Sequence, residues 1–457
     1  MPLLLYCMIG LMKLANAADG DPFHIEATVE TLPNGLTVII VENHRTDMVA
    51  LHVAFNVGSR DELPGERGCA HLFEHLMFEG SANVPNNKFD QWLTEAGGDN
   101  NAYTSADVTA YHMIFPSGAL DRALFLESDR LGWLDAGLSD ENVRNQQKIV
   151  LQERAEGYAE PNGRDWDIAS RLIFPDGHPY QNPVIGTVKD VEGFQTAAVR
   201  DFWRRHYTAN NAVLVLVGNI KPASAMDTVR QWFSDLPSVP PPAVPAVPRS
   251  TEPRPSTVTA KAAVIEDDVD TRTLYLQWPT VQQRHSDEAA LKILCYILSN
   301  GHGTRLDDAL YYAHPVTSGI GAYQQAQELA GSFFISASSP TVPLARIEKK
   351  IRAVLDGLSS DPPTQAEVVR AQTALRASVL DALEAPESIA EQVADCWRVT
   401  GHANCVTDDW ARYQAVTPAD VQRVAQQYLL TITPNTLSNV PRGDKGALPG
   451  AVVVELP

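Results

Sequence analysis

Two spacings of apolar residues run through this chain. Short runs of mostly apolar, β-branched or aromatic residues occupy residues 37–41, after the turn signal Pro33-Asn34-Gly35, and residues 51–57, 108–115 and 211–217. Their length and β-branched content predict strands. Between them the apolar residues recur at helical spacing. That spacing predicts helices over 89–96, closed by Gly97-Gly98, over 120–134, over 139–158 and over 222–233. Ser139 stands where an N-cap belongs, because its side chain can accept from the first free N–H groups of a helix.

The stretch Gly68-Cys69-Ala70-His71-Leu72-Phe73-Glu74-His75-Leu76-Met77-Phe78-Glu79-Gly80 reads as one short helix stopped by Gly80. At about 100° per residue, His71, Glu74, His75 and Phe78 share one stripe, and Leu72, Phe73, Leu76 and Met77 fill the rest. A helix apolar on nearly every other side is expected to be buried. Buried imidazoles and a carboxylate then need polar partners.

Residues 236–256 change character. Pro237, Pro240, Pro241, Pro242, Pro245, Pro248, Pro253 and Pro255 make a stiff, extended linker. Beyond it the plan repeats, with strands at 264 and 273–278, a helix at 287–298, a strand at 332–336, and helices at 344–358 and 365–383. The halves 22–235 and 257–440 are similar in length and element order, which predicts an internal duplication. The expected class is α+β: two α/β-sandwich halves, each a mostly antiparallel sheet covered by helices. The 287–298 helix takes the position of the 68–80 helix but carries no His-x-x-Glu-His.

Histidines at i and i+4 lie one turn apart on one face, so both rings can reach a single divalent ion. Glu74 lies between them and can face a metal-bound water without ligating. His71-x-x-Glu74-His75 is the inverse of the commoner H-E-x-x-H zinc-protease helix. A catalytic zinc needs a third protein ligand and an open position. Glu153 and Glu156 on the 139–158 helix are candidates for it, and so is Glu127; pattern alone does not choose among them.

Composition narrows the partners. The 457 residues carry a net charge of −20, which argues against a nucleic-acid partner, since phosphate backbones need a basic surface. The apolar run 3–12 followed by Ala15-Asn16-Ala17 reads as a signal peptide cut after Ala17, giving a periplasmic or otherwise exported product with no stable membrane insertion after processing. Of five cysteines, Cys7 would leave with that segment, while Cys69 and Cys295 fall on helices. Cys396 and Cys405 are close enough in sequence to bridge in an oxidising compartment.

His71-Leu72-Phe73-Glu74-His75, then Gly97-Gly98-x-x-Asn101-Ala102-x-Thr104, Thr109-x-Tyr111 and Val150-x-x-Glu153 resemble the pitrilysin and mitochondrial processing peptidase family, the inverzincins, in its short bacterial branch. The resemblance covers nearly the whole chain beyond residue 17 and is strongest in the first half. It implies one Zn2+ per chain held by His71, His75 and Glu153, with Glu74 as general base. It implies substrate contacts at Gly98, Asn101, Ala102 and Tyr111, beside an edge strand that pairs with an extended peptide. The expected activity is that of a zinc metalloendopeptidase acting on peptides in an enclosed chamber. Its nucleophile would be a zinc-bound water activated by Glu74.

Two positions depart from the family pattern. Gln146 stands where many members carry a glutamate, seven residues before the third ligand. An arginine and tyrosine that hold substrate are usual in the second half, where the register through Gly303-Thr304-Arg305-Leu306 gives Tyr311 and Ser318. Arg305 with Tyr311 or Tyr312 is the alternative. The lack of the pair implies a homologous zinc-free subunit that supplies it, in a heterodimer, with a homodimer as the other arrangement. A non-catalytic assembly subunit of the same fold is the rival reading.

Overall fold

The computed structural model of the protein describes residues 21–238, 261–313, 315–444, 448 and 451–454. The expected signal peptide and the greater part of the expected proline-rich linker, from 239 on, lie outside the described residues. Among the described residues no helix is long and apolar enough to cross a membrane.

Strands β1 (Thr28–Thr31), β2 (Thr37–Glu42), β3 (Met48–Phe55), β4 (Asp99–Thr104), β5 (Thr109–Pro116) and β6 (Ala212–Gly218) form one sheet in the order β1-β2-β6-β3-β5-β4. A second sheet holds β7 (Ala262–Asp267), β8 (Arg272–Thr280), β9 (Gly319–Ala326), β10 (Gly331–Ser339), β11 (Asn435–Pro441) and β12 (Val452–Val453), in the order β12-β7-β11-β8-β10-β9. Five positions correspond one to one. In each sheet the parallel pair is the same, β2 with β6 and β7 with β11, and the next three pairings are antiparallel. The halves differ at one edge, where β1 runs antiparallel to β2 but β12 runs parallel to β7. The expected duplication is therefore one of topology, not only of element order.

Helices α1 (Cys69–Leu76), α2 (Phe89–Glu95), α3 (Leu120–Trp133), α4 (Asp140–Ala159) and α5 (Asp165–Ile173) follow in the first half. Leu72, Phe73 and Leu76 of α1 join Leu124 and Leu126 of α3 in a core over one face of the first sheet. The matching core of the second half gathers around Leu291, Leu294 and Leu298 of the helix Glu288–Leu298.

The other face of each sheet is covered from the opposite half. Ile389, Ala390, Val393 and Ala394, on the helix Pro386–Thr400, pack against Val41, Ala50, Val213 and Val215 of the first sheet. In return, Ile168, Ala169 and Leu172 of α5 pack against Ala263, Ile265 and Leu437 of the second. Central strands covered on both faces carry near-continuous apolar runs, as β6 does. The halves expected at 22–235 and 257–440 thus complete each other's hydrophobic layers. A disulfide between Cys396 and Cys405 ties the end of the Pro386–Thr400 helix to the loop after it, and Cys69 and Cys295 are buried free thiols.

Candidate metal centre

Helix α1 is held at its start by groups the sequence left unassigned. Gly68 has φ +95, and a Cβ there would come within 2.8 Å of Gly186 Cα and 2.9 Å of the Ile185 carbonyl oxygen. Only glycine fits that left-handed close approach. The buried carboxylate of Glu62 accepts from the N–H groups of Gly68 and Ala70, both at 2.9 Å, satisfying donors that a helix start leaves free. Burial pushes the Glu62 carboxyl up, and these two bonds oppose the rise. The helix ends at Leu76, earlier than expected; Gly80, at φ +100, turns the chain beyond it, and Phe78 lies outside the helix. Tyr111 and Tyr207 brace the interior, donating to the carbonyls of Phe73 at 3.0 Å and Ala70 at 3.4 Å.

Helix α4 brings up the carboxylate. Ser139 caps it as expected, its hydroxyl oxygen accepting from Asn142 N at 3.1 Å. The buried Gln147 fixes its middle by donating to the carbonyls of Val191 and Phe194, at 2.7 and 3.1 Å. Glu153 then faces both imidazoles. Its oxygens lie 3.8 Å from His71 Nε2 and 3.4 Å from His75 Nε2. One ligand atom from each residue lies within 4.8 Å of the others.

Ligands about 2.0–2.1 Å from a tetrahedral zinc stand roughly 3.3 Å from one another. A contraction of about 0.1 to at most about 1.5 Å would bring these three donors to that spacing. Two imidazoles and a carboxylate are also the right donor chemistry. Burial first, then the neighbouring His75, hold the His71 imidazole down at about 4. It is therefore neutral at neutral pH, which is the form that ligates metals.

Glu74 lies on α1 between the two histidines and outside the three-residue group. Its Oε2 accepts from the Thr104 hydroxyl at 2.7 Å. Burial raises its pKa, and the bond from Thr104 opposes that rise. Thr104 is the last residue of β4, the edge strand of the first sheet. Asn101 and Ala102 sit on that strand. The stretch 100–104, which the apolar pattern left outside the strands, is itself the edge. Gly98 precedes it, packed so closely that a Cβ would meet Leu93 Cδ1 at 2.7 Å and the Ile114 carbonyl oxygen at 3.0 Å.

Tyr111 requires a correction. It is fully buried, its hydroxyl is engaged with α1, and Arg130 stacks 4.5 Å from its ring centroid. It positions the helix and offers no surface to a substrate. The other carboxylates also separate. Glu127 is buried and paired with Arg130 Nη2 at 2.5 Å, while Glu156 is exposed and accepts from Gln152 at 2.8 Å. Neither belongs to the three-residue group. Gln146 donates to Glu79 Oε1 at 2.5 Å. In the second half, Arg305 is held by Glu367 at 2.7 Å and by the carbonyls of Asp361 and Pro362. Ser318 donates to the Ser338 carbonyl, Tyr311 is exposed, and the Tyr312 hydroxyl meets His302 Nδ1.

Known proteins resemble this chain in sequence and fold. Residues 37–168 match a family model described as Insulinase (Peptidase family M16), and residues 193–375 match one described as Peptidase M16 inactive domain. A Zinc protease PqqE of Helicobacter pylori is 27% identical over 431 residues, spanning 92% of this chain and 95% of its own length. A probable mitochondrial-processing peptidase subunit beta of Schizosaccharomyces pombe is 24% identical, spanning 87% of this chain and 88% of its own. The crystal structure of a protease from Helicobacter pylori aligns with a TM-score of 0.83 at 25% identity, over 91% of this chain and 100% of that one. A peptidase M16 inactive domain from Pseudomonas fluorescens, 20% identical, shares the fold with a TM-score of 0.80.

Proposed function

The chain belongs to the M16 family of peptidases, and on that premise we propose that it is a zinc-dependent endopeptidase cleaving peptides in a chamber between its two halves. The observation that carries this reading is the convergence of His71, His75 and Glu153, with Glu74 on the same helix and outside the group. His71, His75 and Glu153 would hold the ion. Zinc bound there supplies a Lewis acid that polarises a carbonyl and lowers the pKa of a water.

The chain's own residues supply the rest. Thr104 holds Glu74 Oε2, so Oε1 is the oxygen that takes a proton from the attacking water and returns it to the leaving amine. The free edge of β4 offers backbone N–H and C=O groups to an extended peptide, with Asn101 and Ala102 beside it. Elemental analysis of the purified protein tests the site. About one zinc per chain is expected, with occupancy lost in Glu153→Gln and kept in Glu156→Gln. No zinc in the unaltered chain, even after zinc is added back, would refute the reading.

One observation favours a second reading, a non-catalytic assembly subunit: residues 193–375 match a model described as inactive. That segment lies outside the His71-x-x-Glu74-His75 helix. Peptide hydrolysis separates the two readings.

Two further parts belong to this proposal. Arg305 is committed to Glu367, and Tyr311 and Ser318 stand at the expected clamp positions, so a zinc-free homologous subunit would supply the arginine and tyrosine. Relatives from Schizosaccharomyces pombe and Lentinula edodes are by name subunits. Export follows from the apolar run 3–12 with Ala15-Asn16-Ala17, and the Cys396–Cys405 disulfide supports an oxidising compartment. N-terminal sequencing of protein from its host should begin at Ala18; a soluble cytoplasmic pool beginning at Met1 would refute export.

A further inference from the structure

A cavity of about 180 Å3 lies between the halves and begins one residue beyond Thr104, at Ser105. Its walls come from both halves. Trp166 of α5 forms one side, and β8, β9 and β10 contribute Gln277, Gln325, Ser332 and Phe334. These four side chains share a face because strand residues alternate. Their neighbours Leu276, Trp278, Phe333 and Ile335 fill the core on the opposite face. Trp166 meets Phe334 edge to face at 5.7 Å and is still 53% exposed, so the aromatic surface remains open.

Gln277 points to a ligand. It is only 4% exposed, yet its Oε1 has no hydrogen-bond partner among the described residues. A buried acceptor left unpaired is costly, and an incoming N–H would recover that cost. Size and charge limit what can donate. Pockets for whole small molecules run to about 300–1,000 Å3, so this one suits a single side chain. Among the described lining residues the one charged group is Asp167, whose carboxylate already accepts from the Tyr158 hydroxyl. A lysine or arginine facing the buried Gln277 Oε1 would lose its hydration against a neutral acceptor rather than a counter-charge. A primary amide is neutral and planar. It stacks on aromatic faces and brings both a donor for Gln277 and an acceptor for amide or hydroxyl donors.

We propose that this cavity is a substrate subsite that selects a glutamine or asparagine side chain close to the scissile bond, with Gln277 as the specificity-determining residue. The inference rests on the peptidase reading, because the cavity opens at the end of the strand whose last residue holds Glu74.

The test uses equilibrium binding to the full chain carrying Glu74→Gln. The probes are short alanine-rich fluorescent peptides with Gln, Met or Lys placed at each position in turn. One position should show about fivefold tighter binding for Gln than for Met, the size expected of one added hydrogen bond. The near-isosteric Gln277→Met should abolish that preference. Gln277→Glu should transfer it to Lys by supplying a free carboxylate. No Gln preference at any position, Lys bound better than Gln by a chain with Gln277 intact, or a Gln preference unchanged in both Gln277 variants would overturn the proposal. Zinc content and peptide cleavage by the unaltered chain report separately on the peptidase reading, so the two can fail independently.

Discussion

The Thr104 hydroxyl donates to Glu74 Oε2 at 2.7 Å, joining the last residue of the edge strand to the carboxylate between the two histidines. One contact thereby sets this carboxylate, the proposed base, against the edge strand proposed to pair with a peptide. A one-residue slip in the pairing of β4 with β5, whose register sets Thr104 against Thr109, would break it.

Thr104→Val should therefore lower kcat about ten- to hundredfold, the worth of a hydrogen bond to a charged group. KM and zinc content should change little, because neither the strand backbone nor the three donors are touched. Steady-state kinetics at matched zinc occupancy measure this, and an unchanged kcat would contradict it.

Asp165 should make stability depend on pH. It opens α5, and its carboxylate accepts from Asn439 of β11 at 2.6 Å, across the junction of the halves. Burial pushes its pKa from 3.8 to about 6, against the pull of Asn439 and Tyr275. Between those values the folded state holds a proton that the unfolded state has released. This group's contribution thus falls as pH rises from about 4 to about 6 and stays low above. Asp165→Asn should gain up to about 3 kcal/mol relative to the unaltered chain at pH 7 and nothing below pH 4. Urea unfolding across that range checks the sign; a gain confined to low pH would contradict it.

Reducing the Cys396–Cys405 disulfide should loosen the Pro386–Thr400 helix, whose residues cover the first sheet. A loop this short is worth about 2–3 kcal/mol. A thiol reductant should lower the thermal midpoint, and Cys396→Ala with Cys405→Ala should lose that sensitivity. A midpoint indifferent to reductant would contradict this.

Metal content and turnover should separate in the isolated chain. Misplacing a substrate can cost on the order of a hundredfold, so zinc-loaded chain without the arginine and tyrosine should turn over slowly. A zinc-free homologue carrying that pair should raise the rate sharply at constant zinc. Full activity of the isolated chain, unaffected by any partner, would contradict the two-subunit arrangement.

Local chemistry made much of the site legible. His71, Glu74 and His75 stand out because burying two imidazoles and a carboxylate on an otherwise apolar helix is costly unless something polar meets them. Ser139 was readable because capping acts within one turn. Glu62 was not, because a carboxylate in a loop reads as solvated until the fold turns it onto the N–H groups of Gly68 and Ala70. Gly80 misled, since the chain leaves the helix at Leu76 before reaching it. The exchange of α5 and the Pro386–Thr400 helix was invisible for a different reason. Each buries its apolar stripe against a sheet made by the other half, and no local pattern records which partner waits there. Tyr111 shows the limit of motif reading, for the family pattern gives it to the substrate, whereas it lies in the core with its hydroxyl on the Phe73 carbonyl.

Glu74 is proposed to work as a base beside a zinc held by His71, His75 and Glu153. The most direct test compares hydrolysis of a quenched fluorescent peptide by the unaltered chain and by Glu74→Gln, both at one zinc per chain and with the same partner subunit present. Glu74→Gln should keep its zinc and lose nearly all hydrolysis, on the order of a thousandfold or more. Hydrolysis undiminished in Glu74→Gln, or absent from the zinc-loaded unaltered chain, would contradict that role.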